Sequence, residues 1–268
     1  MIIVASDSLV KGNCIVSVKA KCYNQQRNTY VEGVDRVTER EYKEIEGHML
    51  SQMRDSAHDK YHIYRVLNAA LDISGYEVAV DPDVLIAACL LHDIGRERQF
   101  QNMNLCHALL GGDMAYEYLI GRKWSEGKAE HVKKCIASHR YRGDNPPESI
   151  EAKILFDADK LDASGAMGIA RTLIYEGQVG EPLYMLDQNG KVVTTGGEAE
   201  HSSFFQEYGY KLEKVYGALH TARAKALALE RQKTAVAFYN GLYGEVSQNH
   251  QRGLERLSQV LTKSSGDL

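Results

Sequence analysis

Proline is scarce: Pro82, Pro146, Pro147 and Pro182 are the only four in 268 residues. Little in the chain therefore breaks a helix. Cysteine is limited to Cys14, Cys22, Cys89, Cys106 and Cys135, an odd number with no C-x-x-C pair. That excludes a disulfide framework and fits a reducing compartment. No run reaches the roughly eighteen apolar residues of a membrane span, and the opening MIIVASDSLVKGNC lacks the basic start of an export signal. A cytoplasmic chain with no membrane partner is expected. Neither charge sign dominates: 32 basic against 36 acidic residues leave a net charge of -4. A protein devoted to an extended nucleic-acid backbone would be more basic, so any anionic ligand must meet a local cluster of Lys and Arg. The phosphate-cradling G-x-x-x-x-G-K-[ST], the dinucleotide G-x-G-x-x-G and the esterase G-x-S-x-G are all absent, which removes support for those three chemistries.

What is present is helical periodicity over most of the chain, with 44% apolar and 25% charged residues, enough to build a core. Thr38 and Glu41 form a capping-box pattern, and Asp81-Pro82 is a cap followed by a first-turn proline. These open two helices that flank a third from about 59 to 73. Further helices are predicted near 105–121, 126–140, 148–162, 164–176, 203–217 and 218–245, followed by a short tail helix. Short connections between them indicate one bundle. Two pieces read differently. CIVSVKA near the N-terminus is strand-like, and YMLDQNGKVVTT carries an Asn189-Gly190 turn between β-prone runs, which predicts a hairpin. The expected division is an N-terminal extension over 1–45 that contains a strand, a helical domain over 46–250 and a tail over 251–268. Tyr175, Tyr184, Tyr208 and Tyr210 read as interior packing. The Ala-rich helix at 218–245 is amphipathic and offers a face to the bundle or to a homodimer.

Three separated segments set metal-ligand side chains beside apolar sequence: HDKYHIYRVLNAA at 58–70, LLHDIGRE at 90–97 and LFDADKLDASGAMGIAR at 155–171. Imidazole and carboxylate together suit a divalent cation such as Mn, Fe, Co, Ni, Zn or Mg rather than a thiolate-seeking one. In DADKLDA, a helical wheel puts Asp162 on the buried face with Ile154, Leu155, Ala158 and Leu161, Asp159 at its shoulder, and Asp157 toward solvent. Periodicity alone does not choose the ligand among them.

The order of these motifs resembles the HD superfamily of metal-dependent phosphohydrolases, particularly its small bacterial members: H-x-x-R-V at 62–66, L-L-H-D-I-G at 90–95 and D-A-D-K-L-D-A-x-G-A-x-G-I-A-R at 157–171. The resemblance spans about residues 50–250. It implies an all-α HD-domain bundle, here with a small β-hairpin insertion and a short N-terminal extension. His62, His92, Asp93 and Asp159 would ligate a metal, with Asp162 holding a ligand imidazole in the right tautomer. It also implies hydrolysis of a phosphate mono- or diester of a small, nucleotide-like substrate by a metal-activated water. Arg65, Arg96, Lys160 and Arg171 are the candidate phosphate contacts. Some HD enzymes carry a glutamate general acid three residues after the HD aspartate. This chain has Arg96 there, leaving Glu97, His58 and Asp59 as substitutes beside Asp93 itself. His107 and His139 complete the order His, His-Asp, His, His, Asp seen in two-metal members. They are read as ligands of a second ion or as contacts to the substrate phosphate. Two other outcomes share the resemblance: a di-iron oxygenase, and a nucleotide-binding sensor without turnover.

Overall fold

The computed structural model describes residues 37–53, 60–140, 145–196 and 203–264, and residues 37–268 form one compact unit. The strand expected in CIVSVKA, with His58 and Asp59, lies outside the described residues. Ten α-helices are found among the described residues: α1 Glu39–Gln52, α2 Lys60–Ser74, α3 Pro82–Leu91, α4 Arg96–Gln101, α5 His107–Gly121, α6 Glu126–Ser138, α7 Ile150–Asp162, α8 Gly165–Val179, α9 Phe204–Glu207 and α10 Ala222–Ser264.

Local sequence explains where they start. Thr38 Oγ1 accepts the Glu41 N–H, and the Glu41 carboxylate accepts the Thr38 N–H in return, so the capping box opens α1 as predicted. The Asp81 carboxylate accepts from the Asp83 and Val84 amides, with Pro82 in the first turn of α3. From Val84 to Leu91, α3 is buried all round except at the half-buried Ile86. Such a helix belongs at the centre of its domain, and α3 packs against α1, α2, α5, α6 and α7. Ile63, Val66, Leu85, Leu90, Ile136 and Leu155 belong to that core, each 1% exposed or less. Burying each contributes about 1.5–3 kcal/mol. A second apolar cluster joins α8, α9 and α10 through Ile169, Phe204, Phe205, Tyr208, Leu212 and Ala235.

The expected β-hairpin is not formed: no strand occurs among the described residues. The segment makes one antiparallel bridge, Leu186 to Val192. Its turn does form. Asp187 Oδ1 accepts the amides of Asn189 and Lys191, and Gly190 sits at φ +73°. An isolated two-stranded ribbon is marginal, and this loop is pinned to α10 instead. A Cβ on Gly190 would come within 2.9 Å of His250 Nε2. The segment 203–217 is likewise no single helix, but α9, a π turn at Tyr208–Leu212 and a 3-10 turn at Lys214–Gly217.

Helix α10 runs without a break through the predicted ends at 245 and 250 to Ser264. No proline interrupts it, and the interior glycines Gly241, Gly244 and Gly253 each cost only about 1 kcal/mol. No described helix is long and apolar enough to cross a membrane. Of the tyrosines read as interior, Tyr208 is buried, whereas Tyr175, Tyr184 and Tyr210 are exposed. Asp157 corrects the helical wheel. It is fully buried, and its carboxylate accepts from the His220 amide at 2.8 Å and from the amide and hydroxyl of Thr221 at 2.7 Å each. It anchors Thr221, whose hydroxyl in turn accepts the Ala224 amide in the first turn of α10. The wheel sees only its own helix, so it counts as solvent a face that a distant helix end covers.

Candidate metal centre

The predicted ligands come from the ends and inner faces of five helices and converge beside α3. His62 lies on α2. His92 is the C-cap of α3, and its Nδ1 hydrogen donates to the Cys89 carbonyl at 2.8 Å. His139 is the C-cap of α6 and does the same to Ile136 at 2.6 Å. Carbonyls at a helix C-terminus lack intrahelical donors, so an imidazole placed there turns Nδ1 inward and presents Nε2 beyond the helix end. His107 begins α5 and donates Nδ1–H to Gln99 Oε1 at 2.5 Å. The Gln99 amide is itself oriented by its Nε2 donating to the Leu105 carbonyl at 2.9 Å. His62 donates Nδ1–H to Asp162 Oδ2 at 2.7 Å. All four rings are therefore assigned the same tautomer, with an Nε2 lone pair facing the centre.

Gly95 makes the convergence possible. A Cβ there would stand 2.5 Å from the His107 carbonyl oxygen and 2.8 Å from the Gly111 nitrogen. Only glycine lets the turn after Asp93 lie against the start of α5.

Asp93 divides the donors into two sets. Its Oδ2 is 3.6 Å from both His62 Nε2 and His92 Nε2, and His62 Nε2 is 3.5 Å from Asp159 Oδ1. Its Oδ1 is 3.5 Å from His107 Nε2 and 3.6 Å from His139 Nε2. The donor atoms of His62, His92 and Asp159 all lie within 4.8 Å of one another, as do those of Asp93, His107 and His139. Inside the second set, Asp93 Oδ1, His107 Nε2 and His139 Nε2 are buried with no hydrogen-bond partner. In the first, His62 Nε2 and His92 Nε2 stand 3.3 Å apart. Buried acceptors left without a donor, as Asp93 Oδ1, His107 Nε2 and His139 Nε2 are, are costly, and a divalent cation is the group this donor chemistry fits.

Electrostatics agrees. Burial pushes His92 down to about 4, and burial with the Arg96 charge pushes His107 down to about 2. Both imidazoles are neutral and ligand-competent near pH 7. Burial opposes ionisation of Asp93, but the Arg96 charge overrides it and holds the carboxyl well below its ordinary range. Asp159 is held low in the same way by the Lys160 charge.

The candidate phosphate contacts divide by where their charge goes. Arg96 Nε donates to Asp93 Oδ2 at 2.6 Å, and Lys160 Nζ to Asp159 Oδ2 at 3.1 Å, with that ammonium 5.0 Å from the centre of the Phe156 ring. Arg65 and Arg171 both turn to Asp162: Arg65 Nε at 2.6 Å to Oδ1, Arg171 Nη1 at 2.5 Å to Oδ2. Glu97 accepts from Gln101 within α4 and is not among the converging donors. Two residues escaped the sequence reading. Gln99 orients His107, and Arg140 Nη1 lies 3.3 Å from His107 Nδ1. Arg140 had a signal, since it follows a helix-ending histidine; Gln99 had none, because its partner is set by the fold of a loop.

Residues 60–164 match the model of the family described as HD domain. The Bacillus subtilis protein YpgQ, described as uncharacterized, is 26% identical over 191 residues, covering 71% of this chain and 85% of that protein. Its crystal structure in complex with ADP superimposes with a TM-score of 0.59 at 27% identity, covering 76% of this chain and 97% of that one. The structure of an HD-superfamily hydrolase from Bacillus thuringiensis gives 0.58 at 28% identity, covering 77% of this chain and 96% of that one.

Proposed function

Because the chain belongs to the HD-domain family, we propose that it is a metal-dependent phosphohydrolase that cleaves a small, nucleotide-like phosphate mono- or diester at a centre for two divalent ions. The observation that carries this reading is the Asp93 carboxylate, each oxygen of which faces its own pair of histidine Nε2 atoms. His62, His92, Asp159 and Asp93 Oδ2 would hold one ion, and His107, His139 and Asp93 Oδ1 the other. Bound there, such ions polarise a phosphoryl oxygen and lower the pKa of water from about 15.7 toward about 7. The protein's own contribution is orientation and charge. Nδ1 hydrogen bonds to Cys89, Gln99, Ile136 and Asp162 fix the four rings. His92, His107 and His139 are 0% exposed, which closes the inner side of the centre to bulk water. Arg96 and Lys160 stand at its rim, with side chains 29% and 24% exposed, to receive phosphate oxygens. Arg65 and Arg171 act through Asp162, which they hold against His62. The nucleotide-like substrate is supported by the ADP bound to YpgQ.

The test is release of phosphate from a panel of phosphorylated metabolites, nucleotides included, with Mn, Co, Ni and Mg in turn. Asp93→Ala is expected to abolish turnover and metal binding with helical content intact. Bound metal should fall from two ions per chain to one in His107→Ala and in His139→Ala. Retention of metal and a tenth of the activity by Asp93→Ala would refute the assignment. A single ion unchanged by either histidine variant would refute the second site. A visible absorption band with iron and no phosphate release would replace hydrolysis by di-iron oxidation.

A further inference from the structure

The two halves of the centre are not equivalent, and the difference lies in Arg96. Oδ1 of Asp93 has no donor. Oδ2, which faces His62 and His92, accepts from Arg96 Nε at 2.6 Å. Arg96 begins α4 three residues beyond Asp93, its backbone amide donates to the Asp93 carbonyl at 3.0 Å, and its side chain is 29% exposed against 1% for Asp93. The guanidinium therefore reaches from the solvent edge to the same oxygen that the His62–His92–Asp159 set needs for a cation. One carboxylate oxygen does not serve a guanidinium and a divalent ion equally well, because the two positive charges repel at that separation.

We propose that Arg96 is an exchangeable counter-ion: it neutralises Asp93 Oδ2 in the metal-free chain and yields that oxygen when a divalent ion is loaded, so that its guanidinium becomes available to a phosphate only at a loaded centre. The idea rests on the metal reading above and adds a coupling to it. Arg96 opposes the ion in the free protein and joins it in holding the anion. By linkage, whatever Arg96 costs the ion it returns as cooperativity between ion and phosphate. A solvent-edge arginine over a fully buried carboxylate is suited to this exchange, since the released guanidinium has water or an anion to turn to, while Asp93 has no alternative but the cation.

The experiment titrates Mn against a chromogenic chelator in the wild-type chain, Arg96→Ala, Arg96→Lys and Asp93→Ala, with thermal unfolding of each metal-free protein and inorganic phosphate as the anion probe. Arg96→Ala is expected to unfold at lower temperature without metal, to bind Mn about tenfold more tightly, and to gain more in melting temperature from Mn than the wild type. Arg96→Lys, which keeps the charge, should fall between them. Phosphate should bind the Mn-loaded wild type at least tenfold more tightly than Mn-loaded Arg96→Ala, whereas the two metal-free proteins should bind it alike. Unchanged or weaker Mn affinity in Arg96→Ala, with Asp93→Ala still abolishing binding, overturns the exchange and leaves the metal reading standing. Mn binding that is absent in the wild type, or indifferent to Asp93, removes the metal reading itself.

Discussion

Replacing Asp162 with asparagine removes the charge on which three positively polarised side chains converge. His62 Nδ1 donates to Oδ2 at 2.7 Å, Arg171 Nη1 to the same oxygen at 2.5 Å, and Arg65 bridges both oxygens at 2.6 and 3.1 Å. Asp162 is 5% exposed, so its charge is carried almost wholly by these partners. Taking one member from a buried ion pair costs about 3–5 kcal/mol. Arg65 and Arg171 keep 34% and 29% of their side-chain surface, so part of their charge returns to water. That reduces the expected loss to about 2–3 kcal/mol. Metal affinity should fall about 10- to 100-fold, because His62 loses the partner that fixes its tautomer. The pH dependence follows from the direction of the shift. Burial resists ionisation, but hydrogen bonds from His62 and Arg65 and the charge of Arg171 hold the carboxyl below its ordinary range. A folded-state value below the unfolded one, about 3.9, gives stability that is present above that pH and lost as pH falls toward the folded value. The gap between wild type and Asp162→Asn should be flat from about pH 8 to 5 and narrow below about pH 4. Urea unfolding across that range, with Mn titration at pH 7.5, measures both effects. Wild-type Mn affinity in Asp162→Asn, or a stability gap that does not close in acid, would refute the role given to this carboxylate.

Asp157→Ala separates the two neighbouring aspartates: leaving the His220 and Thr221 donors without their buried acceptor should cost about 1–3 kcal/mol in urea unfolding, while Mn affinity stays within twofold, unlike Asp159→Ala. Gly95→Ala should destabilise by about 1–3 kcal/mol or more, since its Cβ would meet backbone at His107 and Gly111, and should reduce Mn stoichiometry by displacing His107; a normal melt and full loading would show that the turn has slack. Glu176 is 3% exposed with both oxygens lacking a hydrogen bond. Burial, with the nearby charges of Glu181 and Glu207, pushes it up to about 7. A folded value above the unfolded one makes stability fall as pH rises from about 4.5 to 7. Glu176→Gln should therefore be more stable than wild type at pH 8, by up to about 3 kcal/mol, and nearly equal to it at pH 4.5. Equal melting temperatures at both pH values would mean that the carboxylate finds a partner in solution.

The chain's own order of residues determined the helical class, the opening of α1 and α3, and the imidazole and carboxylate types of the candidate centre. Each rests on interactions within a few residues: a capping side chain and its amides, a proline in a first turn, an apolar helix ending in His92-Asp93. The helix-end placement of His92 and His139 was legible for the same reason, since each ring is held by a carbonyl three residues back. Tertiary structure alone decided the rest. That Asp93 turns one oxygen to each histidine pair depends on α2, α5 and α6 arriving from opposite sides. That Arg65 and Arg171 serve Asp162, that Gln99 orients His107, and that Asp157 anchors Thr221 at the start of α10 are contacts between residues 8 to 97 positions apart. Periodicity reports which face of a helix is buried, because burial of apolar area is averaged along the segment. It does not report what a polar side chain on that face meets, because hydrogen bonds and ion pairs are directional and their partners are delivered by the fold.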